Sequence, residues 1–166
     1  FFDNKSQDNS QKILKKIKDK RIRYYRSNKF LKLYDARNLA IKKSKGKYIC
    51  FLDTDDLWKK NKVKIQVKFL EDNKNFAMVY SKYLILENKN KFRYFLNNHD
   101  LPSGNIMEKI LKIYTIGILT VCIRKKFFRK KMFKKKYDII GDFDFFINLS
   151  KNNKIGCIQT PLAYYR

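Results

Sequence analysis

The sequence predicts a single α/β domain over residues 1–166, because helical and extended hydrophobic patterns alternate along its whole length. Two further observations support this class. Apolar residues make up 44% of the chain, which is enough for a packed core, and only 5 Gly and 2 Pro interrupt it. Residues 48–52 form an unbroken apolar run, which is typical of a strand buried on both faces in a parallel sheet.

The individual elements follow from the helical and the strand periodicity of the apolar residues. Residues 8–10 offer a helix cap, and the apolar residues at 13, 14 and 17 then share one helical face. A helical face of small residues begins at Asp35, and Gly46 is placed to end that helix before the apolar strand. The other predicted elements are short strands at 21–26 and 120–123, helices at 63–70, 106–111 and 142–150, and extended segments at 76–86 and 155–165.

The net charge of +25 indicates which partners the surface attracts. A field of this sign favours polyanions, namely nucleic acid, anionic lipid headgroups or nucleotide diphosphates. Most of the cations are Lys and they are spread along the chain, whereas specific nucleic-acid readers concentrate Arg in one patch, so we expect no specific nucleic-acid partner. The basic tract at 128–136 is denser, and it fits either peripheral contact with an anionic membrane or a solvated loop.

The cysteines and the apolar runs indicate the compartment. The chain has three cysteines, Cys50, Cys122 and Cys157. Their odd number and the lack of C-x-x-C spacing argue against a disulfide framework or a zinc site. We therefore expect core thiols in a reducing compartment. No apolar run reaches the roughly 18 residues of a membrane span. We expect a cytoplasmic protein, with peripheral contact at the inner face of the membrane as an open alternative.

The strongest chemical signal is FLDTDDLW at residues 51–58, where a buried strand ends in Asp53, Asp55 and Asp56. Ligands of open α/β sheets bind beyond the carboxyl ends of the strands. Carboxylates two positions apart on an extended backbone project to one side, and a hard divalent cation takes several oxygen ligands. The alternative is that these acids only favour the start of the next helix. In a chain of net charge +25, three clustered acids favour the metal site.

Two further polar positions are candidates for the same pocket. Arg37 and Asn38 open the helix that leads to the acidic strand, so Arg37 could bind a phosphate or fix a nearby carboxylate, although an exposed helix charge is the alternative. Asp142 follows a Gly and precedes aromatic residues, and it could act as a general base for a hydroxyl. Helix capping is the alternative for Asp142.

Four segments, taken in order, carry a resemblance to a known family. The first, FDNKSQDNS at 2–10, resembles V-D-D-G-S-T-D-N-S, and the second, ARNLAI at 36–41, resembles A-R-N-x-G-I. The third, GKYICFLDTDDLW at 46–58, resembles G-E-Y-I-x-F-L-D-x-D-D-x-W. The fourth, GDFD at 141–144, takes the place of E-D-x-D. These are motifs of the family 2 glycosyltransferases with the GT-A fold, which the chain resembles over nearly its whole length. The resemblance implies a Rossmann-like nucleotide-diphospho-sugar transferase with a central mixed sheet flanked by helices. The family's first strand would precede Phe1, so we expect that strand to be missing.

The resemblance also implies a function, which is inverting transfer from a nucleotide-diphosphate sugar to an acceptor hydroxyl. Asp53, Asp55 and Asp56 would hold Mn²⁺ or Mg²⁺ together with the donor diphosphate and ribose. Asp3 would lie near the nucleobase, and Asp142 would deprotonate the acceptor. The acceptor would be a saccharide or a lipid-linked sugar, because members of this family commonly make cell-surface polysaccharides or glycolipids.

Two positions depart from the family pattern. Asn4 stands where the family usually has its second Asp, and we count it with Asp3, Arg37 and Asp53 among the donor-binding candidates. Gly141 replaces the usual Glu, which leaves Asp142 as the sole candidate base. Two other classes remain open, namely a sugar-nucleotide nucleotidyltransferase and a non-enzymatic basic module that binds nucleic acid or anionic membrane.

Overall fold

A computed structural model gives the structure of the protein, and it describes residues 1–88, 91–94, 99–129 and 132–166. Helices and strands alternate, as the sequence predicts. The helices are α1 (Ser10–Lys16), α2 (Leu33–Lys43), α3 (Lys62–Asp72), α4 (Met107–Lys112) and α5 (Gly141–Ser150). The strands are β1 (Phe2–Asp3), β2 (Tyr25–Arg26), β3 (Tyr48–Ile49), β4 (Leu57–Trp58), β5 (Phe76–Asn88), β6 (Lys91–Tyr94), β7 (Cys122–Arg124) and β8 (Lys154–Tyr165).

The strands form a small parallel pair and a larger mixed sheet. β1 and β2 pair in parallel, with Phe2 opposite Tyr25. The larger sheet has the order β3-β7-β5-β8-β4, with β6 paired to β5. Within it β5 and β8 are parallel, and the other described pairings are antiparallel. The predicted mixed sheet is therefore confirmed.

The apolar run at 48–52 pairs differently from the prediction. β3 covers only Tyr48–Ile49, and it lies antiparallel to β7 rather than in a parallel ladder. Leu52 is 47% exposed, so the run is not buried on both faces throughout. An apolar run reports burial but carries no information on the direction of the partner strand, which explains the error.

Helices cover both faces of the large sheet, and the alternation of side chains along β5 shows this. Met78 and Tyr80 belong to the main core, which also contains residues of α2, α4 and α5. Val79 points the other way, into a second cluster with Leu70 of α3. The domain therefore has three layers, with a core on each face of the sheet between the strands and the helices. Helices α2 and α5 lie on the same side of the sheet.

The end of helix α2 differs from the prediction. Helix α2 ends at Lys43, where the Ser44 N–H donates to the carbonyls of Ala40 and Ile41 and the Ser44 hydroxyl donates to Ile41 O at 2.6 Å. Gly46, which the sequence analysis placed at this end, lies two residues further on. A serine hydroxyl can satisfy the last carbonyls of a helix as well as a left-handed glycine does. The helix therefore needs no glycine at its end.

Two features of the sequence bear on membrane contact, namely the length of its apolar runs and the basic tract at 128–136. Within the ranges described above, no helix is long and apolar enough to cross a bilayer. Lys130 and Lys131, in the middle of the basic tract, lie outside the described residues.

Candidate active site

The acidic turn follows residues 50–52, which lead out of β3 at the edge of the large sheet. The Asp56 N–H donates to Asp53 O at 3.2 Å, which closes the turn before β4 begins. Asp53 is partly exposed and forms an ion pair with Arg37 of α2, with 2.7 Å between Nη2 and Oδ2. The Arg37 side chain is only 12% exposed. The predicted reach of Arg37 to a nearby carboxylate is thus found in the structure.

Tyr34 extends this contact toward α5. It lies one helical turn before Arg37, and the guanidinium carbon of Arg37 is 5.6 Å from the centre of its ring. The Tyr34 hydroxyl donates to Ile139 O at 2.6 Å and lies 3.1 Å from Asp142 Oδ1. It also accepts the Asp142 N–H at 3.2 Å. Asp53 and Asp142 are therefore connected through only two side chains.

Asp142 lies in the first turn of α5 and is half-buried. The Phe143 N–H donates to Asp142 Oδ1 at 2.9 Å and holds this carboxylate oxygen next to the Tyr34 hydroxyl, whose single proton is shared between Ile139 O and Oδ1. None of the hydrogen bonds found for Asp142 among the described residues uses Oδ2. The carboxylate therefore keeps one oxygen available to accept a proton, as a general base requires.

Gly141 makes room for Tyr34 at this point. A Cβ atom built on Gly141 would lie 2.6 Å from Tyr34 Cε2 and 2.7 Å from Cζ. The family's usual Glu at this position is therefore incompatible with the Tyr34 ring as it stands. The glycine and the tyrosine form a complementary pair, and the phenol occupies the space next to Asp142 that the missing acid would need.

Tyr114 adds a second phenol near Asp142. Its hydroxyl is buried and has no hydrogen-bond partner among the described residues. Burial raises the pKa of Tyr114, and the nearby Asp142 carboxylate raises it further. A buried hydroxyl without a partner is uncommon in a folded protein, and it indicates a place where a bound molecule could supply one.

Asp3 is held inside the protein rather than presented to a ligand. It is 2% exposed, accepts hydrogen bonds from the Tyr24 hydroxyl and from the Ser6 N–H at 2.7 Å, and lies 3.6 Å from Arg26. Burial alone would raise the pKa of Asp3, but these hydrogen bonds and the Arg26 charge outweigh it and lower the pKa overall. In this structure the carboxylate therefore fixes the loop after β1.

Asn4 has a similar structural role, and its amide explains the departure from the family. Asn4 Nδ2 donates to Leu31 O at 2.8 Å, and the Leu31 N–H donates to Asn4 Oδ1 at 3.0 Å. An ionised Asp could accept the second bond but could not donate the first. The amide thus joins the end of β1 to the segment before α2.

A groove of about 540 Å³ connects several of the predicted residues. Asn4, Arg37, Asp53 and Thr54 contribute its polar lining, and Trp58 contributes an aromatic wall. Asp3 and Asp142 are not among its lining residues. Tyr34 contacts both Arg37, which lines the groove, and Asp142.

The three acids of the turn do not share one ligand set. Asp53 is paired with Arg37, and Asp55 is exposed. Asp56 is 7% exposed and accepts the Arg166 N–H at 3.2 Å. Burial raises the pKa of Asp56 despite that hydrogen bond, and repulsion from Asp55 and Asp53 raises it further.

Within the described ranges, no group of three or more His, Cys, Asp or Glu side chains is arranged to hold a metal ion by itself. Mg²⁺ is usually bound through one or two carboxylates, with substrate phosphates and water as the other ligands. The exposed Asp55 fits that kind of site.

Two residues that matter for this geometry were missed in the sequence analysis, Tyr34 and Tyr114. The i, i+3 spacing from Tyr34 to Arg37 was available as a signal of a shared helix face. Its proximity to Asp142, which is 108 positions away, is a tertiary contact. Nothing in the local pattern around Tyr114 indicates that its hydroxyl lacks a partner.

Sequence comparison finds glycosyltransferases among the proteins similar to this chain. An uncharacterized glycosyltransferase of Rickettsia bellii is 36% identical over 164 residues, which is 99% of this chain and 23% of that protein. The Escherichia coli protein WfgD, a UDP-Glc:alpha-D-GlcNAc-diphosphoundecaprenol beta-1,3-glucosyltransferase, is 29% identical over 158 residues, covering 95% of this chain and 59% of WfgD. The chain thus spans from about a quarter to three-fifths of these relatives.

Solved structures show the same architecture. The crystal structure of S. aureus TarS 1-349 in complex with UDP-GlcNAc matches with a TM-score of 0.77 at 18% identity, over 98% of this chain and 47% of that one. This likeness, together with the mixed sheet flanked by helices, confirms the GT-A fold. The family model described as Glycosyl transferase family 2 matches residues 1–152. Since this match covers most of the 166 residues, the chain belongs to glycosyl transferase family 2.

Proposed function

We propose that this chain is the catalytic part of an inverting glycosyltransferase that moves a sugar from a nucleotide-diphosphate sugar to an acceptor hydroxyl. The observation that carries the proposal is the connection from Asp53 through Arg37 and Tyr34 to Asp142. It joins a groove suited to an anionic donor to a carboxylate suited to deprotonating an acceptor. Membership of the family supports the reaction class.

On the donor side, Arg37 and Asp53 would bind the nucleotide-diphosphate sugar in the groove. The Arg37 guanidinium is largely buried and already oriented by Asp53, so little side-chain entropy is lost when it binds a phosphate. Asn4 is also part of the polar lining and would contact the nucleoside. The TarS complex with UDP-GlcNAc and the UDP-Glc in the name of WfgD make a UDP-sugar our first choice of donor.

Asp55 would hold the divalent ion, with Asp53 as a neighbour. A bound Mn²⁺ or Mg²⁺ would neutralise charge on the departing nucleoside diphosphate. Asp56 is the least suited of the three predicted ligands, because it is buried and its raised pKa opposes ionisation.

On the acceptor side, Asp142 Oδ2 would take the proton of the attacking hydroxyl while the Phe143 N–H holds Oδ1 beside the Tyr34 hydroxyl. The unpartnered Tyr114 hydroxyl would bond to the acceptor or the donor sugar and fix its orientation. Attack from the Asp142 side of the sugar, opposite the leaving diphosphate, inverts the anomeric carbon.

The acceptor we propose is a saccharide, including one linked to lipid diphosphate as in the name of WfgD. The part of the chain before α5 contains the exposed cations Lys126, Arg129 and Lys136, and Ile139 in the same part of the chain is 84% exposed. This combination of cations and an apolar side chain suits peripheral contact with an anionic membrane. Lys134 and Lys135 contribute less, since they form ion pairs with Asp144 and Asp35.

Two substitutions test the proposal in opposite ways. Nucleotide-sugar binding is measured by calorimetry with Mn²⁺ across a set of UDP-sugars, and turnover is measured as UDP release with a saccharide acceptor. Asp55→Ala should abolish Mn²⁺-dependent binding. Asp142→Asn should leave binding intact and reduce turnover by at least about 100-fold, the usual size of a general-base contribution.

The chain offers matched controls for both. Asp144→Asn changes an acid two residues along α5 that pairs with Lys134, and Asp72→Ala changes an exposed acid that pairs with Lys68. Neither control should affect binding or turnover. Equal losses in Asp142→Asn and Asp144→Asn, or unchanged Mn²⁺-dependent binding in Asp55→Ala, would contradict the assignment.

A further inference from the structure

Two of the three cysteines face each other on neighbouring strands. β3 and β7 are antiparallel, with Tyr48 opposite Arg124 and Ile49 opposite Ile123. The next pair in this register is Cys50 and Cys122, at the point where the chain leaves β3 for the acidic turn. Alternate positions of a strand share a face, so Cys50 and Cys122 lie on the same face as Tyr48 and Arg124.

The hydrogen-bond pattern shows which kind of pair the cysteines form. The Lys125 N–H donates to Lys47 O at 2.9 Å, so Lys47 and Lys125 form a hydrogen-bonded pair of the ladder. Because hydrogen-bonded and non-hydrogen-bonded pairs alternate in an antiparallel ladder, Cys50 and Cys122 form a non-hydrogen-bonded pair. In such pairs the Cα atoms are about 4.5 Å apart and the side chains are closest, which is within the span of a disulfide.

Side-chain contacts agree with this arrangement. Arg124 Nη1 donates to the Tyr48 hydroxyl at 3.2 Å, which confirms that side chains of this face meet across the two strands. The thiols of Cys50 and Cys122 are themselves within hydrogen-bonding reach of each other. Both belong to the core cluster between the sheet and α3.

The two thiols differ in accessibility and in acidity. Cys50 is half-buried and lines the groove that also contains Asp53, whereas Cys122 is fully buried. The hydrogen bond from Cys122 and the nearby charge of Lys62 lower the pKa of Cys50, although burial opposes this. The same hydrogen bond and burial raise the pKa of Cys122. These differences identify Cys50 as the thiol that reacts first.

We propose that Cys50 and Cys122 are a redox-modification site that closes to a reversible cross-strand disulfide beside the acidic turn. The oxidant class is a low-molecular-weight disulfide such as oxidised glutathione. The Cys50 thiolate attacks one sulfur of it, forms a mixed disulfide and releases one glutathione thiolate. The Cys122 thiol then attacks Cys50 Sγ and passes its proton to the glutathione that leaves, so that two protein thiols are oxidised and one glutathione disulfide is reduced to two thiols.

This inference does not depend on the proposed sugar transfer. It does bear on the groove, because Cys50 is three residues before Asp53 in the segment that leaves β3. The mixed disulfide would place a glutathione in the groove. The completed disulfide would clear the groove and fix the end of β3 to β7.

The test is a peptide map of the protein after incubation with oxidised glutathione, alkylation of the remaining thiols and digestion without reductant. We expect a linked peptide containing Cys50 and Cys122 that is lighter by two hydrogens, and a fall from three free thiols to one. Reductant should reverse both changes. The oxidised protein should melt roughly 5–15 °C higher than the reduced protein, since the disulfide closes a long loop.

Single substitutions test the order of the steps, with Cys157→Ser as the matched control because Cys157 lies in β8 away from the pair. Cys157→Ser should form the disulfide normally. Cys122→Ser should stop at the glutathione adduct of Cys50, and Cys50→Ser should form no adduct at the buried Cys122 while folded. Absence of the Cys50–Cys122 peptide from the wild-type map overturns the proposal even if a variant fails to fold. Equal glutathione uptake by Cys50→Ser and Cys122→Ser overturns the assigned order.

Discussion

Replacing Gly141 by Ala should destabilise the protein, although Gly→Ala in a helix is ordinarily favourable. Gly141 is the first residue of α5, and a new Cβ there would meet the Tyr34 ring at 2.6–2.8 Å. Carbon atoms are in favourable contact at about 3.5–4.0 Å, so the overlap is close to 1 Å. Both partners are in the packed core or at its edge, and neither can move away freely.

The size of the effect follows from two opposing terms. Overpacking of this kind costs about 1–3 kcal/mol, and the loss of glycine's chain entropy returns about 0.5–1 kcal/mol. The two ranges combine to a decrease of about 0–2.5 kcal/mol in the free energy of unfolding, centred on about 1 kcal/mol. For a domain of this size a decrease of about 1 kcal/mol corresponds to a melting temperature lower by roughly 2–4 °C.

The assay is urea unfolding of a double-mutant cycle with Tyr34. Once Tyr34→Ala has removed the ring, Gly141→Ala should be neutral or should stabilise by up to about 1 kcal/mol. Tyr34→Phe is the matched control, since it keeps the ring and removes only the hydroxyl, and the penalty should persist in it. The reasoning is refuted if Gly141→Ala costs the same in the Tyr34→Ala background as in the wild type.

Three other predictions concern the site and the buried lysine. Tyr34→Phe should lower kcat roughly tenfold without changing donor KM. It should have no further effect in the Asp142→Asn background, because the phenol would act only through that carboxylate. Steady-state kinetics of the wild type, the two single variants and the double variant tests this. Arg37→Met should weaken UDP-sugar binding at least about tenfold, which calorimetry measures. The free energy of unfolding, measured with urea, should change by less than about 1 kcal/mol because the partner Asp53 is partly exposed. Lys62 is fully buried and burial lowers its pKa, so the folded state loses this proton at lower pH than the unfolded state does. The wild type should therefore gain stability relative to Lys62→Met as pH rises toward 10.5, and a flat or falling difference in urea unfolding would contradict the sign.

The periodic signals in the sequence were enough for the class of fold. Apolar periodicity identified the helices at α2, α3 and α5 and the long strands β5 and β8, because each element must bury one face against the sheet or the helices. The motif at 51–58 located the acidic turn, since an apolar strand that ends in acids is visible within one short segment. Strand direction was not visible, and the antiparallel pairing of β3 was decided by the tertiary arrangement.

The sequence by itself determined which segments are buried, which residue types could perform chemistry, and the family to which they are similar. Only the tertiary structure decided that Tyr34 joins Arg37 to Asp142, that Gly141 is required by the Tyr34 ring, and that Cys50 faces Cys122. Hydrophobic periodicity acts over one or two helical turns, whereas these contacts join residues far apart in the chain. Their geometry depends on how the helices and strands pack around the shared core, which no local pattern encodes.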